Sequence, residues 1–272
     1  MNIVPKILIA FAIAYVILCI FVFYIQKDLI FFPSKEISVI PEYKNLKELH
    51  IKTKEDIRLN AWFLDNKSDK TIIFLHGNGW NIGYNEWRLK IFDWLWVNAL
   101  MVDYRGYWKS EGELLKEQDI YDDAEAAYEY VVKSGVPSRN IIIWGQSLGW
   151  AVAINLAQNK HVYATIIESS FYSMDEMASK NYAFLPTWLL LRFHFRSDEK
   201  ISNIHSPIYV IHSPEDEIIS YSNWQRLYAK ISLKKAFLET KGSHNGWFSE
   251  SYSLYLSWLN KFLNLNQESS NN

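Results

Sequence analysis

The sequence predicts an α/β protein with a mainly parallel sheet covered by helices on both faces, preceded by one N-terminal helix able to span a bilayer. Three observations carry this. Compact apolar runs at 71–76, 98–103, 141–145, 164–168 and 208–212 alternate with stretches of helical periodicity. Strands buried on both faces read as such runs, and strand–helix alternation builds a parallel sheet. Hydrophobic residues make up 49% of the 272 and charged residues 21%, the balance of a chain with a full core. Finally, residues 7–25 carry no charge.

That uncharged run would span roughly 28 Å as a helix, close to the thickness of a bilayer's hydrocarbon core. Lys6 precedes it and Gln26-Lys27-Asp28 follow, giving polar ends at both interfaces. It is longer than a signal-peptide core and no A-x-A-like site follows, so residues 1–28 are expected to be an uncleaved anchor. Lys6 and the amino terminus precede the span, whereas Lys27 is offset by Asp28. The charge bias favours an extracytoplasmic domain.

One α/β domain is expected over residues 29–265, with a disordered tail at 266–272. Residues 48–54 and 57–64 read as an antiparallel strand pair at the sheet edge. In 119–133, Ala124, Ala127, Tyr128 and Val131 recur at helical spacing. Residues 170–200 contain no strand and are expected to form a helical cap. Their apolar run, 184–191, is too short to cross a bilayer and is followed by Arg192, His194 and Arg196. The basic-flanked face of such a cap would also suit contact with lipid headgroups.

Some chemistries drop out early. A net charge of −2 with no long basic run gives nothing to attract a phosphate backbone, so no nucleic-acid partner is expected. Cys19 is the single cysteine and can form neither an internal disulfide nor a Cys-based metal site. No metal-ligand cluster or dinucleotide fingerprint is present, so cofactor-free chemistry is expected.

The strongest chemical signal is Gly145-Gln146-Ser147-Leu148-Gly149, following an apolar strand and opening a helix over 151–159. A G-x-S-x-G at a strand-to-helix turn is the nucleophile-elbow pattern. The neighbours two before and two after the serine need almost no side chain, and both are glycine. A serine hydroxyl needs a base to take its proton, and in this arrangement the histidine comes last in the chain. His244 fits, in the turn-rich Lys241-Gly242-Ser243-His244-Asn245-Gly246 before the final helix. His50, His161 and His205 read as edge or surface residues, His194 falls in the cap, and His76 and His212 end strands. Two acids could orient the imidazole. Asp216 follows the 208–212 strand and is preferred by its order; Glu168, ending the preceding strand, is the rival. Glu215 and Glu217 are expected to be solvated. The oxyanion donors should be the backbone amides of Leu148, next to the nucleophile, and of Asn78 in Gly77-Asn78-Gly79.

The chain resembles the α/β-hydrolases of the bud-emergence-protein type, a membrane-anchored branch close to the protein depalmitoylases and serine-aminopeptidase-like hydrolases. The matching pieces are Leu29-Ile30-Phe31-Phe32-Pro33, His76-Gly77-Asn78-Gly79, Asp103-Tyr104-Arg105-Gly106-Tyr107, Lys109-Ser110-Glu111-Gly112, the serine pentapeptide, Asp216-Glu217-Ile218-Ile219 and Ser243-His244-Asn245. The resemblance implies a Ser–Asp–His hydrolase of esters, thioesters or amides. A lipid-like or acylated substrate suits the anchor. The alternative is an inactive hydrolase fold serving as a tethered binding module.

Trp80, Trp96, Trp108 and Trp150 stand where the family usually has glycine, in a chain with 12 Trp and only 10 Gly. Each indole is expected to crowd its surroundings. The exchange is the one expected if a codon read as Gly in the living protein were translated as Trp, and the abundant Ile, Asn, Lys and Tyr suit an AT-rich genome. Trp62, Trp144 and Trp258 read as ordinary core aromatics.

Overall fold

The polar trio Gln26-Lys27-Asp28 does not end the N-terminal helix. In the computed structural model, which describes residues 3–36 and 39–263, helix α1 runs Ile3–Phe31. Gln and Lys are good helix formers, so they mark a change of surroundings rather than a stop. The helix is long and apolar enough to cross a membrane. The expected tail, 266–272, lies outside the described residues.

Beyond α1 come strands β1 (Leu46–Lys52), β2 (Arg58–Leu64) and β3 (Thr71–Leu75), helix α2 (Arg88–Trp94), strand β4 (Asn98–Val102) and helix α3 (Glu117–Lys133). Strand β5 (Ile141–Gln146), helix α4 (Leu148–Ala157) and strand β6 (Ala164–Glu168) follow. Three short helices come next, α5 (Met174–Asn181), α6 (Thr187–Leu190) and α7 (Ser197–Lys200), with no strand among them. The chain then runs through strand β7 (Ile208–His212), helix α8 (Ser222–Lys230), strand β8 (Lys235–Glu239) and helix α9 (Trp247–Leu263).

The strands form one sheet in the order β1-β2-β4-β3-β5-β6-β7-β8. β1 and β2 pair antiparallel at one edge, β2 pairs antiparallel with β4, and every later pairing is parallel. Two-residue periodicity splits the strand side chains between two cores. Ile73, Leu75, Ile143 and Val210 face Ala124, Ala127 and Val131 of α3 and Ala151 and Ile154 of α4. Ile72, Phe74, Ile142 and Trp144 face Leu89 and Phe92 of α2 and Tyr255 and Leu259 of α9. Each fully buried aliphatic contributes about 1.5–3 kcal/mol, which is why the runs are almost wholly apolar between their ends; the exception, Thr165, is buried with its hydroxyl 2.9 Å from that of Ser206. The fold is thus the α/β-hydrolase architecture, with the loops after β3, β5, β7 and β8 emerging at one sheet end, where ligands bind in open parallel sheets.

The four unusual tryptophans are not equally crowded. Trp150 is fully buried, edge-on to Phe171 at 5.0 Å, and its indole N–H finds no acceptor among the described residues. Trp80 and Trp96 instead remain 47% and 64% exposed, which corrects the expectation of core crowding at those positions. The backbone carries the anomaly elsewhere: Trp96 has φ 54° and Trp108 φ 32°, in the left-handed region that favours glycine.

Candidate active site

Ser147 sits between β5 and α4 with φ 49° and ψ −123°, a strained conformation for a residue with a side chain. The turn is tight because its flanks have no Cβ. One on Gly145 would strike the Gly149 carbonyl, and one on Gly149 would strike the Leu75 carbonyl. On the facing loop, a Cβ on Gly77 would lie 3.0 Å from that of Ser147. Small residues therefore bring the loop after β3 against the serine.

His244 reaches the same point from the loop between β8 and α9. Its Nε2 lies 3.1 Å from Ser147 Oγ and its Nδ1 lies 2.8 Å from Asp216 Oδ2. The other oxygen of Asp216 accepts the backbone N–H groups of Ile218 at 3.0 Å and Ile219 at 2.7 Å. Burial alone would push the Asp216 carboxyl up. The hydrogen bond and charge of His244, the Ile219 N–H and nearby His212 outweigh that and hold it below the ordinary carboxylate value. The side chain is therefore a fixed anion beside the imidazole.

The rival acid is occupied elsewhere. Glu168 accepts from Arg88 at 2.5 Å and from Tyr255 at 2.5 Å, both buried. Both partners come from helices, α2 and α9, roughly 80 residues away on either side. Its own backbone carbonyl instead accepts the Ser147 N–H at 3.0 Å.

Glu215 and Glu217 are exposed, yet more than solvated: they hold the histidine loop. Glu215 accepts the Gly242 N–H and Glu217 the His244 N–H, each at 2.9 Å. The His244 N–H lowers the Glu217 carboxyl from its ordinary value. Ser213 Oγ adds a 2.6 Å bond to the Gly242 carbonyl. These contacts were invisible to motif reading, although all three residues flank Asp216.

Asn78 and Leu148 both line the cavity of about 300 Å³ that opens over Ser147. Neither backbone N–H donates to another described residue. The Asn78 loop is tied down on two sides. Tyr104 OH donates to the His76 carbonyl at 3.0 Å; Gly79 N–H and Asn78 Nδ2 donate to the Phe31 and Ile30 carbonyls at 2.7 and 3.1 Å. The end of α1 is thereby built into the site. Trp80 lines the same cavity, stacked on Tyr84 with ring centroids 5.4 Å apart. Among the described residues, no group of three or more His, Cys, Asp or Glu is placed to hold a metal ion.

The remaining histidines lie away from this cluster or behind it. His194 pairs with Asp175 at 2.9 Å, and His161 stacks on His205. His212 is buried behind Asp216 at 3.8 Å, and burial lowers its pKa.

No family model matches the chain. Among its relatives is the alpha/beta hydrolase domain-containing protein WAV2 of Arabidopsis thaliana, 30% identical over 236 residues covering 77% of this chain and 76% of the relative. Alpha/beta hydrolase domain-containing protein 17C of Mus musculus is 32% identical over 219 residues, covering 78% of this chain and 66% of that one. Among solved structures, the Pyrococcus furiosus esterase Pf2001 superposes with a TM-score of 0.70 at 21% identity, covering 86% of this chain and 97% of the esterase. That likeness shows a shared fold. With identity and coverage at these levels, the chain belongs to the family of α/β hydrolase domain-containing proteins.

Proposed function

We propose that the chain is a membrane-anchored serine hydrolase that cleaves ester, thioester or amide bonds of a lipid-like or acylated substrate through an acyl-enzyme. The observation that carries this reading is the continuous relay Ser147 Oγ–His244 Nε2 and His244 Nδ1–Asp216 Oδ2, at 3.1 and 2.8 Å. Ser147 Oγ attacks the substrate carbonyl carbon and its proton passes to His244 Nε2. The amides of Asn78 and Leu148 receive the oxyanion. As the tetrahedral intermediate collapses, the bond to the leaving group breaks and that group departs with the proton. Water then attacks the acyl-enzyme, giving its proton to His244, and the serine is released as the free hydroxyl. Asp216 holds the imidazole's tautomer and stabilises its protonated form. Helix α1 is the anchor, and the charge bias around it favours the extracytoplasmic side for the domain.

The test is hydrolysis of a panel of acyl esters, acyl thioesters and acyl amides by the full chain in detergent micelles. Turnover that disappears in Ser147→Ala and falls by about 10³–10⁴-fold in Asp216→Asn supports the reading. Turnover that persists in Ser147→Ala overturns it. No turnover in any class would favour the tethered binding module.

A further inference from the structure

A second cavity, of about 320 Å³, lies between α1 and the segment carrying α5 and α6. Its walls include Leu18, Val22 and Leu29 of α1 and Met177, Leu185 and Leu190 opposite. It meets the cavity over Ser147 at Ile30, Asn78, Met174 and Met177, which line both. From Leu18 to Ile30 the helix rises roughly 18 Å, so a continuous path, apolar along α1 and more polar over the serine, runs from the middle of α1 to Ser147.

The two walls are fastened to each other. Gln26, buried on α1, donates through Nε2 to the Leu190 carbonyl at 3.1 Å and accepts the Arg192 N–H through Oε1 at 2.8 Å. Higher up, Tyr15 OH donates to the Phe184 carbonyl at 2.8 Å. The guanidinium of Arg192 lies 5.2 Å from the Phe23 ring. A polar side chain in so apolar a helix is costly unless satisfied, and here both ends of the Gln26 amide are. The rim is apolar as well: Phe184, Trp188 and Leu189 stand exposed beside the membrane-length helix. A rim at the level of Tyr15 to Phe23 lies within the hydrocarbon layer if residues 7–25 span it.

We propose that the groove between α1 and the α5–α6 segment is an acyl-chain site, loaded from the bilayer with a single long alkyl chain that runs along α1 and delivers its carbonyl to Ser147. The occupant follows from three features together: apolar walls, continuity with the serine cavity, and a mouth at hydrocarbon depth. The anchor helix is then one wall of the binding site as well as a tether. The catalytic part of the proposal rests on the hydrolase reading of Ser147; the binding part does not.

Two measurements separate these parts. In mixed micelles of the full chain, Leu18→Trp and Val22→Trp should fill the groove far from the serine. Each methylene excluded costs about fourfold in kcat/KM, so hydrolysis of p-nitrophenyl palmitate should fall more than tenfold while p-nitrophenyl butyrate stays within twofold. Equal losses for both esters, or none for either, would overturn the proposal. Binding is read separately with Ser147→Ala in phosphatidylcholine vesicles, using palmitic acid bearing a diazirine near its terminal methyl. Crosslinks at Leu18, Val22, Leu185 or Leu190 that excess palmitic acid suppresses and butyric acid does not would support the groove, even if the wild type hydrolyses neither ester. Unsuppressed crosslinks spread along lipid-facing Phe11, Ile17 and Phe21 would sink it.

Discussion

Replacing Trp96 with glycine should stabilise the chain relative to replacing it with alanine, an inversion of the usual order in helical segments. Trp96 follows α2 at the position where helices turn into the left-handed region. Its N–H donates to the Asp93 carbonyl at 2.9 Å and the next N–H, of Val97, to the Phe92 carbonyl at 3.1 Å. This is the Schellman arrangement, whose left-handed residue is ordinarily glycine. At φ 54° an L side chain carries a penalty of about 1–2 kcal/mol. The indole is 64% exposed, and both replacements lose the same remaining ring contacts, so the comparison isolates the Cβ. Allowing for the greater unfolded-state freedom of glycine, Trp96→Gly should exceed Trp96→Ala by about 1 kcal/mol, or roughly 2–4 °C in Tm. Trp94, in the last turn of α2, is the control: there alanine should be the more stable. Far-UV circular dichroism of urea unfolding in micelles measures all four variants. Alanine equal to or better than glycine at position 96 would refute the strain argument, and with it the structural case for glycine there.

Further outcomes concern the site and its supports. Glu168→Gln should cost about 3–5 kcal/mol by stranding buried Arg88. Turnover per folded molecule should stay within a few-fold of wild type, in contrast to Asp216→Asn; equal catalytic losses would return Glu168 to the relay. Gly77→Ala should lower kcat at least tenfold with little change in Tm, because its Cβ would press on Ser147; unchanged kcat would remove that loop from the site. Asp103 is fully buried and burial raises its carboxyl from 3.8 to about 7. The folded state therefore binds the extra proton between those values, and stability contributed by Asp103 declines as pH rises through that window. Asp103→Asn should gain on wild type by up to about 1.4 kcal/mol per pH unit there, read by urea unfolding at a series of pH values. A difference independent of pH would contradict the burial argument.

The strands were legible because burial on both faces leaves mostly apolar residues between their ends, with Thr165 the buried exception; 164–168 and 208–212 needed no adjustment. Ser147, Asp216 and His244 could be picked out because each follows a strand in a fixed chain order. Chain order preferred Asp216 over Glu168 but gave no physical reason to discard the rival. Both end strands, and only the approach of Arg88 from α2 and Tyr255 from α9 shows that one carboxylate is already occupied. Glu215 and Glu217 looked like solvated charges because their partners are backbone amides of a loop that folds back from 27 residues later. The clasp between Gln26 and Leu190 is beyond local patterning altogether, since 164 residues separate its members. Nor could sequence rank the four tryptophans. Their cost depends on φ at 96 and 108 and on enclosure at 150, which neighbouring residues in the chain do not reveal.

The most direct test of an activated serine is fluorophosphonate labelling of the full chain in micelles, with the modified peptide mapped by mass spectrometry. Stoichiometric phosphonylation at Ser147, absent in Ser147→Ala and strongly slowed in His244→Ala, is expected from the 3.1 Å contact between Ser147 Oγ and His244 Nε2. A folded chain that takes up no label, or takes it up at another residue, would contradict the serine-hydrolase assignment.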